Sequence, residues 1–418
     1  MTNISYMNLG SIKGFNELLY DYNNTCNILK LNKLICRTEN NQEYKIITYD
    51  KQVLNYDLID SYGLCRSVIA NSENKVVGFA PPKSFKADKF LEIYPIPNED
   101  IVAQEFVEGT MINVFYDQSI GLAGGWEIST KNIVGATCGF FSQKSVTHEQ
   151  SKQTFRTMFL EAAQENNLIL ENLNPKLCYS FVLQHPNNRI VIPFKKPQLY
   201  LVAIYYIDNT DKNNISVFTS DLQENTNYWG TTSIKFPEIY EFTEYSELID
   251  KYASMNTSYD KLGVVLYNKK TGHRTKIRNP VYEEVKHLRG NQSKMLFQYL
   301  TLRKEGKMNE FLKLFPENKR EFSLYRDQIH LFTNTLFYNY ISCYMKKEKP
   351  LKEFSPQYRT CMFNIHEKYK NELKPENKFV TNKVVIDYVN NLQPSLLMHS
   401  LNYNHRVHMI DSGKSGLV

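Results

Sequence analysis

Residues Ile101 to Asp117 read IVAQEFVEGTMINVFYD, and how this stretch is interpreted decides the rest. Its second half alternates as a half-buried strand does, with Met111, Asn113 and Phe115 on one side and Ile112, Val114 and Tyr116 on the other. Ahead of the strand stands Glu108-Gly109-Thr110, where a glycine lets the backbone pass close to a neighbour. The stretch therefore predicts a strand in a sheet, entered through a turn pressed against another part of the fold.

Working outward, Leu64-Cys-Arg-Ser-Val-Ile-Ala70 and Lys75-Val-Val-Gly-Phe-Ala80 read as a hairpin, closed by Pro81-Pro82-Lys83-Ser84-Phe85-Lys86. Residues 1–60 read as a lead-in with a short helix, Gly14 to Tyr20, and strands such as Glu43 to Tyr49. Downstream come Gly125-Trp-Glu-Ile-Ser-Thr-Lys-Asn132 and a helix from Ser151 to Asn166 with Phe155, Met158, Phe159 and Ala162 at core spacing. Then follow Tyr179-Ser-Phe-Val-Leu-Gln-His-Pro-Asn-Asn-Arg-Ile-Val191 and a nearly continuous apolar run, Leu199 to Tyr205, expected to be buried. Asp208 to Thr257 is less regular and reads as edge decoration. Lys261-Leu-Gly-Val-Val-Leu-Tyr267 and Arg274-Thr-Lys-Ile-Arg-Asn-Pro-Val-Tyr282 form a last strand pair around the turn Lys269 to His273.

Past Val281 the pattern becomes helical. Tyr282 to Lys304 and Lys319 to Lys346 read as two long helices with a break at Pro316, and Ile329, Phe332, Leu336, Tyr340 and Tyr344 mark a buried face. Further helices are expected at Pro356 to Leu373 and Asn382 to Asn391, before a polar, disordered tail from His399 to Val418. The domain reading is thus a lead-in (1–60), a strand-rich module (61–282), a basic helical domain (283–398) and the tail (399–418).

The 418 residues carry 42% hydrophobic and 22% charged side chains, an ordinary globular balance with material for more than one core. The net charge of +6 is unevenly placed: Val281 to Val418 holds 22 Lys and Arg against 14 Asp and Glu, whereas the first 280 residues hold 28 against 30. A basic final third favours a polyanionic partner, nucleic acid first, although a solvated lysine-rich helical face explains the charge equally well. Seven cysteines without a Cys-x-x-Cys pair indicate neither a zinc site nor a disulfide framework. The first residues lack a basic segment followed by an apolar core, and no apolar run is long enough to span a bilayer, so a cytoplasmic protein without membrane contact is expected. His148, His366, His399, His405 and His408 have no regular metal spacing.

Taken together, Leu64 to Tyr282 resembles the covalent nucleotidyltransferase superfamily of RNA ligases, DNA ligases and mRNA capping enzymes. The likeness is sharpest to phage-type RNA ligases and to the RNA-ligase-like proteins of large DNA viruses. Pro186, Asn188, Arg189, Ile190 and Val191 match a fixed frame of that family, and Glu108-Gly109 matches its Lys-x-Asp/Glu-Gly motif. The resemblance implies an α+β fold, an antiparallel-sheet nucleotidyltransferase module followed by an all-α domain. Arg66, Lys131, Lys276 and Arg278 stand at positions whose family role is positive charge toward phosphates, with Lys83 and Glu108 as additional candidates and Ser67 in place of a family glycine. The nucleophilic lysine position, however, holds Phe106, and two carboxylate positions hold Val182 and Leu262.

A phenyl ring cannot attack an α-phosphate, and nucleotidyl transfer needs a reactive amine and carboxylate-held Mg²⁺. The expectation is therefore a degenerate enzyme without a catalytic residue, metal or cofactor, one that binds RNA or a nucleotide, such as an RNA 5′ end or cap. Two rivals stand beside it. One is an active ATP- and Mg²⁺-dependent RNA ligase with a displaced lysine, Lys83 or Lys131. The other is a scaffold subunit of a viral transcription, capping or translation complex, in the host cytoplasm or virion.

Overall fold

The computed structural model describes residues 5–21, 30–139, 153–222, 226–292, 294–404 and 406. The chain divides into two units, Met1–His287 and Leu288–Val418. In chain order the first unit runs β1 (Tyr6–Asn8), α1 (Phe15–Tyr20), β2 (Leu31–Arg37), β3 (Glu43–Tyr49), β4 (Val68–Ala70), β5 (Val76–Phe79), α2 (Ala87–Ile93), β6 (Ile101–Glu105), β7 (Thr110–Asp117) and β8 (Gly125–Ser129). It continues through α3 (Phe155–Glu165), β9 (Leu177–Gln184), β10 (Gln198–Asp208), β11 (Ser216–Ser220), α4 (Thr226–Trp229), β12 (Ile239–Tyr240), α5 (Tyr245–Tyr252), β13 (Gly263–Asn268) and β14 (Arg274–Arg278).

These strands form three sheets, with the orders β1-β11-β10-β9-β7-β8, β12-β6-β13-β14 and β2-β3-β4-β5. Every pairing between the named strands is antiparallel. The alternation along β7 decides the layering. Ile112 and Val114 face a core closed by Phe155, Met158, Phe159 and Ala162 of α3, while Phe115 faces a second core shared with Ile46, Val68 and Phe79 of the β2–β5 sheet. A third core lies between α2, α5 and the sheet of β6, β13 and β14. Residues 1–60, read as a lead-in, supply β1, β2 and β3 and so belong to two of the sheets.

Gly109 makes the turn before β7 possible. Its φ of +150° is unfavourable to other residues, and a Cβ there would lie 2.5 Å from the Leu183 carbonyl oxygen of β9. The close neighbour implied by the sequence is therefore the strand that pairs with β7.

The helical unit differs in detail from its sequence pattern. The helix expected from Tyr282 to Lys304 is two, α6 (Pro280–Arg289) and α7 (Met295–Glu305), parted at Gly290, whose φ is +70°. After α8 (Met308–Leu314), Pro316 opens a short 3₁₀ turn before α9 (Lys319–Tyr340), which ends in a π-helical turn, Ile341–Met345. Next come α10 (Pro356–Lys368) with its own π turn, Tyr369–Leu373, then α11 (Asn382–Asn391) and α12 (Pro394–Leu401). The polar tail expected from His399 begins later, because Leu397 and Leu401 are buried on α12; residues 407–418 lie outside the described residues. Phe322, Ile329, Phe332, Leu336 and Tyr340 form the buried stripe of α9. Among the described residues no helix is long and apolar enough to cross a membrane.

Gly109→Ala should lower the urea unfolding free energy by about 2 kcal/mol or more through strain and contact with β9. Gly121→Ala also sits at positive φ but faces open space, and should cost clearly less in the same measurement.

Candidate functional site

On β14, Thr275 is fully buried and Ile277 packs on the third core, so alternation places Arg274, Lys276 and Arg278 together on the opposite face. The chain leaving β6 brings Phe106 beside them, its N–H pointing to the Gly263 carbonyl at 3.4 Å. Lys276 Nζ stands 4.8 Å from the Phe106 ring centroid and the Arg278 guanidinium carbon 5.4 Å. Both cations thus lie on the negative face of a partly exposed ring.

The loop before β4 and the segment after β5 contribute the remaining cations. Arg66 Nη1 donates to the Pro81 carbonyl at 3.3 Å, and the Lys83 backbone N–H donates to Gly63 O at 2.9 Å. Ser67 Oγ donates to the Lys131 carbonyl at 2.7 Å and so fastens the loop after β8, whose Lys131 Nζ lies 4.9 Å from the Tyr49 ring centroid.

Electrostatics ties these groups into one cluster. Burial pushes the Lys276 amine down to about 6, with further depression from Arg274, Arg66, Arg278 and Lys83. Burial likewise takes Lys131 down to about 8, helped by Lys51, Arg66 and Lys83. Arg274 is lowered to about 10 by burial, with Tyr205 opposing and Arg66 adding to the shift. Among the described residues no carboxylate lies within salt-bridge distance of Arg66, Lys83, Lys131, Arg274 or Lys276, whereas Arg278 pairs with Glu283 at 2.7 Å. A group of cations without counter-charge favours an anionic ligand.

Glu108 serves the fold. Its Oε1 accepts the backbone N–H of Val191 and of Ile192, each at 3.0 Å. The Tyr282 hydroxyl also bonds this carboxylate, which burial holds above the ordinary range. Asn188 Nδ2 donates to Thr110 Oγ1 at 2.9 Å and Gln184 Nε2 to Glu108 O at 3.0 Å. The segment Pro186 to Val191 is therefore a bracket around the Glu108-Gly109-Thr110 turn. With its carboxylate buried and bonded internally, Glu108 is removed from the set of groups available to a ligand.

Val182 and Leu262 are buried apolar side chains, 6% and 7% exposed. Mg²⁺ does not fit these two positions, since neither side chain offers an oxygen. Among the described residues no three His, Cys, Asp or Glu side chains converge as metal ligands. His185 is structural: Nδ1 accepts the Asn187 N–H at 3.2 Å and Nε2 faces Glu161 at 2.9 Å.

Arg66 and Lys83 act on both Lys276 and Lys131, and Arg278 and Arg274 act on Lys276; Lys51 acts on Lys131 from outside this group, and the sequence reading passed over both Arg274 and Lys51. Arg274 was accessible from its two-residue offset to Lys276 on a strand. Lys51 had no local signal.

No family model matches the chain. It is 22% identical over 394 residues to an RNA ligase of Rhodothermus phage RM378, covering 84% of this chain and 83% of that protein. It is 24% identical over 318 residues to a putative bifunctional polynucleotide kinase/RNA ligase of Autographa californica nuclear polyhedrosis virus, covering 68% of this chain but 40% of that one. An archaeal ATP-dependent RNA ligase structure superposes with a TM-score of 0.37 at 10% identity, covering 91% of this chain and 77% of that one, too loosely to carry residue correspondences. The viral relatives support an RNA ligase-like nucleotidyltransferase module.

Because Lys276 is depressed in the folded state, the unfolded chain binds more protons between pH 6 and the ordinary lysine range, and stability should rise with pH across that window. In urea titrations at rising pH, wild type should gain stability relative to Lys276→Met; parallel curves would contradict the assigned depression.

Proposed function

We propose that the protein captures an RNA end or a nucleotide through its phosphates and does not join it covalently. The observation that carries this reading is the Phe106 ring with Lys276 and Arg278 over its face, at the position where the resemblance sets the nucleophilic lysine. The ring supplies no attacking atom, and Arg66, Lys83, Lys131 and Arg274 extend the positive surface around it without neutralising carboxylates among the described residues. Phosphate oxygens accept hydrogen bonds from guanidinium and ammonium groups whether or not a reaction follows. Similarity to viral RNA ligases makes an RNA 5′ end or cap the reasonable ligand class.

A second reading rests on the same depressed amines. At neutral pH much of Lys276 and part of Lys131 is uncharged, and a neutral lysine can attack the α-phosphorus of a nucleoside triphosphate. A P–N bond would form, the P–O bond to the β-phosphate would break, and pyrophosphate would leave. The apolar Val182 and Leu262 weigh against it, because the leaving charge has no carboxylate-held metal to receive it.

Affinity for a 5′-phosphorylated oligoribonucleotide should fall steeply between low and physiological salt, and Lys276→Glu with Arg278→Glu should lower it more than about tenfold. Salt-insensitive binding, or an unchanged double variant, would refute capture by the cradle. Incubation with labelled ATP or GTP and Mg²⁺ separates the two readings: an alkali-stable, acid-labile adduct mapped to Lys83, Lys131 or Lys276 would replace capture with transfer.

A further inference from the structure

Beside the cradle, an open cavity of about 370 Å³ is lined by Asn32, Thr48, Tyr49, Lys51, Gln52, Lys131 and Asn132, together with Asp50. It is built from the β2–β3 hairpin, which precedes the stretch resembling nucleotidyltransferases, and from the loop after β8. Lys131 belongs to both places. It lines the cavity, and its amine is depressed by burial first and then by Lys51 together with Arg66 and Lys83 of the cradle. The cationic series is thus continuous from Arg278 and Lys276 to Lys51.

The rest of the lining has a different character. Asn32, Gln52 and Asn132 are exposed amides, Thr48 adds a hydroxyl, and Tyr49 a buried ring with Lys131 over its face. Asp50, the one carboxylate of the lining, has Oδ1 engaged by the Gln52 N–H at 2.7 Å. Amide and hydroxyl groups suit ribose hydroxyls and base edges, and two lysines suit the connecting phosphate. The volume lies in the range that accommodates one nucleotide.

We infer that this cavity is a second subsite, holding a further nucleotide of a single-stranded RNA whose phosphorylated end lies in the cradle. The inference rests on the capture reading and deepens it, since it makes the preferred ligand a strand in place of a mononucleotide. A mononucleotide engages the cradle alone; a strand engages the cradle and the cavity.

The test compares two probes on the full chain, ATP and a fluorescent 5′-phosphorylated oligoribonucleotide of about ten nucleotides. Lys51, exposed and in no ion pair among the described residues, is replaced in Lys51→Glu, and the milder Lys51→Gln grades the effect. Oligonucleotide affinity should fall about tenfold in Lys51→Glu and less in Lys51→Gln, with a shallower salt dependence, while ATP affinity stays within about twofold of wild type. Equal losses for both probes, or no loss for the oligonucleotide, would overturn the subsite. Failure of the wild-type protein to bind either probe would instead overturn capture itself, so the two failures are distinguishable.

Discussion

Burial of basic side chains beside one another is the constraint to which the candidate site answers. Four segments of the chain contribute Arg66, Lys83, Lys131 and the pair Arg274 and Lys276; Arg66 and Lys83 act on both lysines, and none of the five has a carboxylate in salt-bridge range among the described residues. Such an arrangement costs free energy in the empty protein, part of which is relieved by discharging Lys276. The aromatic face of Phe106 offsets some of the remainder. An anion would relieve more than either.

The apolar replacements are consistent with this electrostatic balance. Val182 and Leu262, which the resemblance sets at carboxylate positions, add no negative charge and pack as core. The carboxylate that persists, Glu108, is withdrawn from the site by two backbone N–H groups and the Tyr282 hydroxyl. Its bonds tie the β9–β10 connection to the turn before β7, so that a motif shared in outline with nucleotidyltransferases here reads as architecture. Conformational demand at Gly109 has the same origin, the close approach of that turn to Leu183.

How far the sequence revealed this arrangement follows from the physics of each signal. Glu43–Tyr49 and Asn382–Asn391 appear at the bounds their patterns predict, because strand alternation and helix periodicity are local. Tyr282 to Lys304 was misread as one helix, since its periodicity persists across Gly290 although the glycine marks a C-terminal turn. Arg66, Lys131, Lys276 and Arg278 were singled out through resemblance, and Arg274 was within reach through alternation along β14. Lys51 and the cavity were not: they depend on how the β2–β3 hairpin approaches the β8 loop, a long-range pairing that no local pattern encodes. The engagement of Glu108 was hidden for the same reason.

The central claim is that phosphate completes a cradle in which burial and neighbouring cations hold the Lys276 amine well below the ordinary lysine range. Calorimetric titration with ATP at neutral pH, repeated in buffers of different ionisation enthalpy, counts the protons exchanged on binding. The account predicts net proton uptake, as bound phosphate raises the Lys276 amine back toward the ordinary lysine range, and its loss in Lys276→Met. Binding without proton uptake, or uptake unaltered by that substitution, would contradict it.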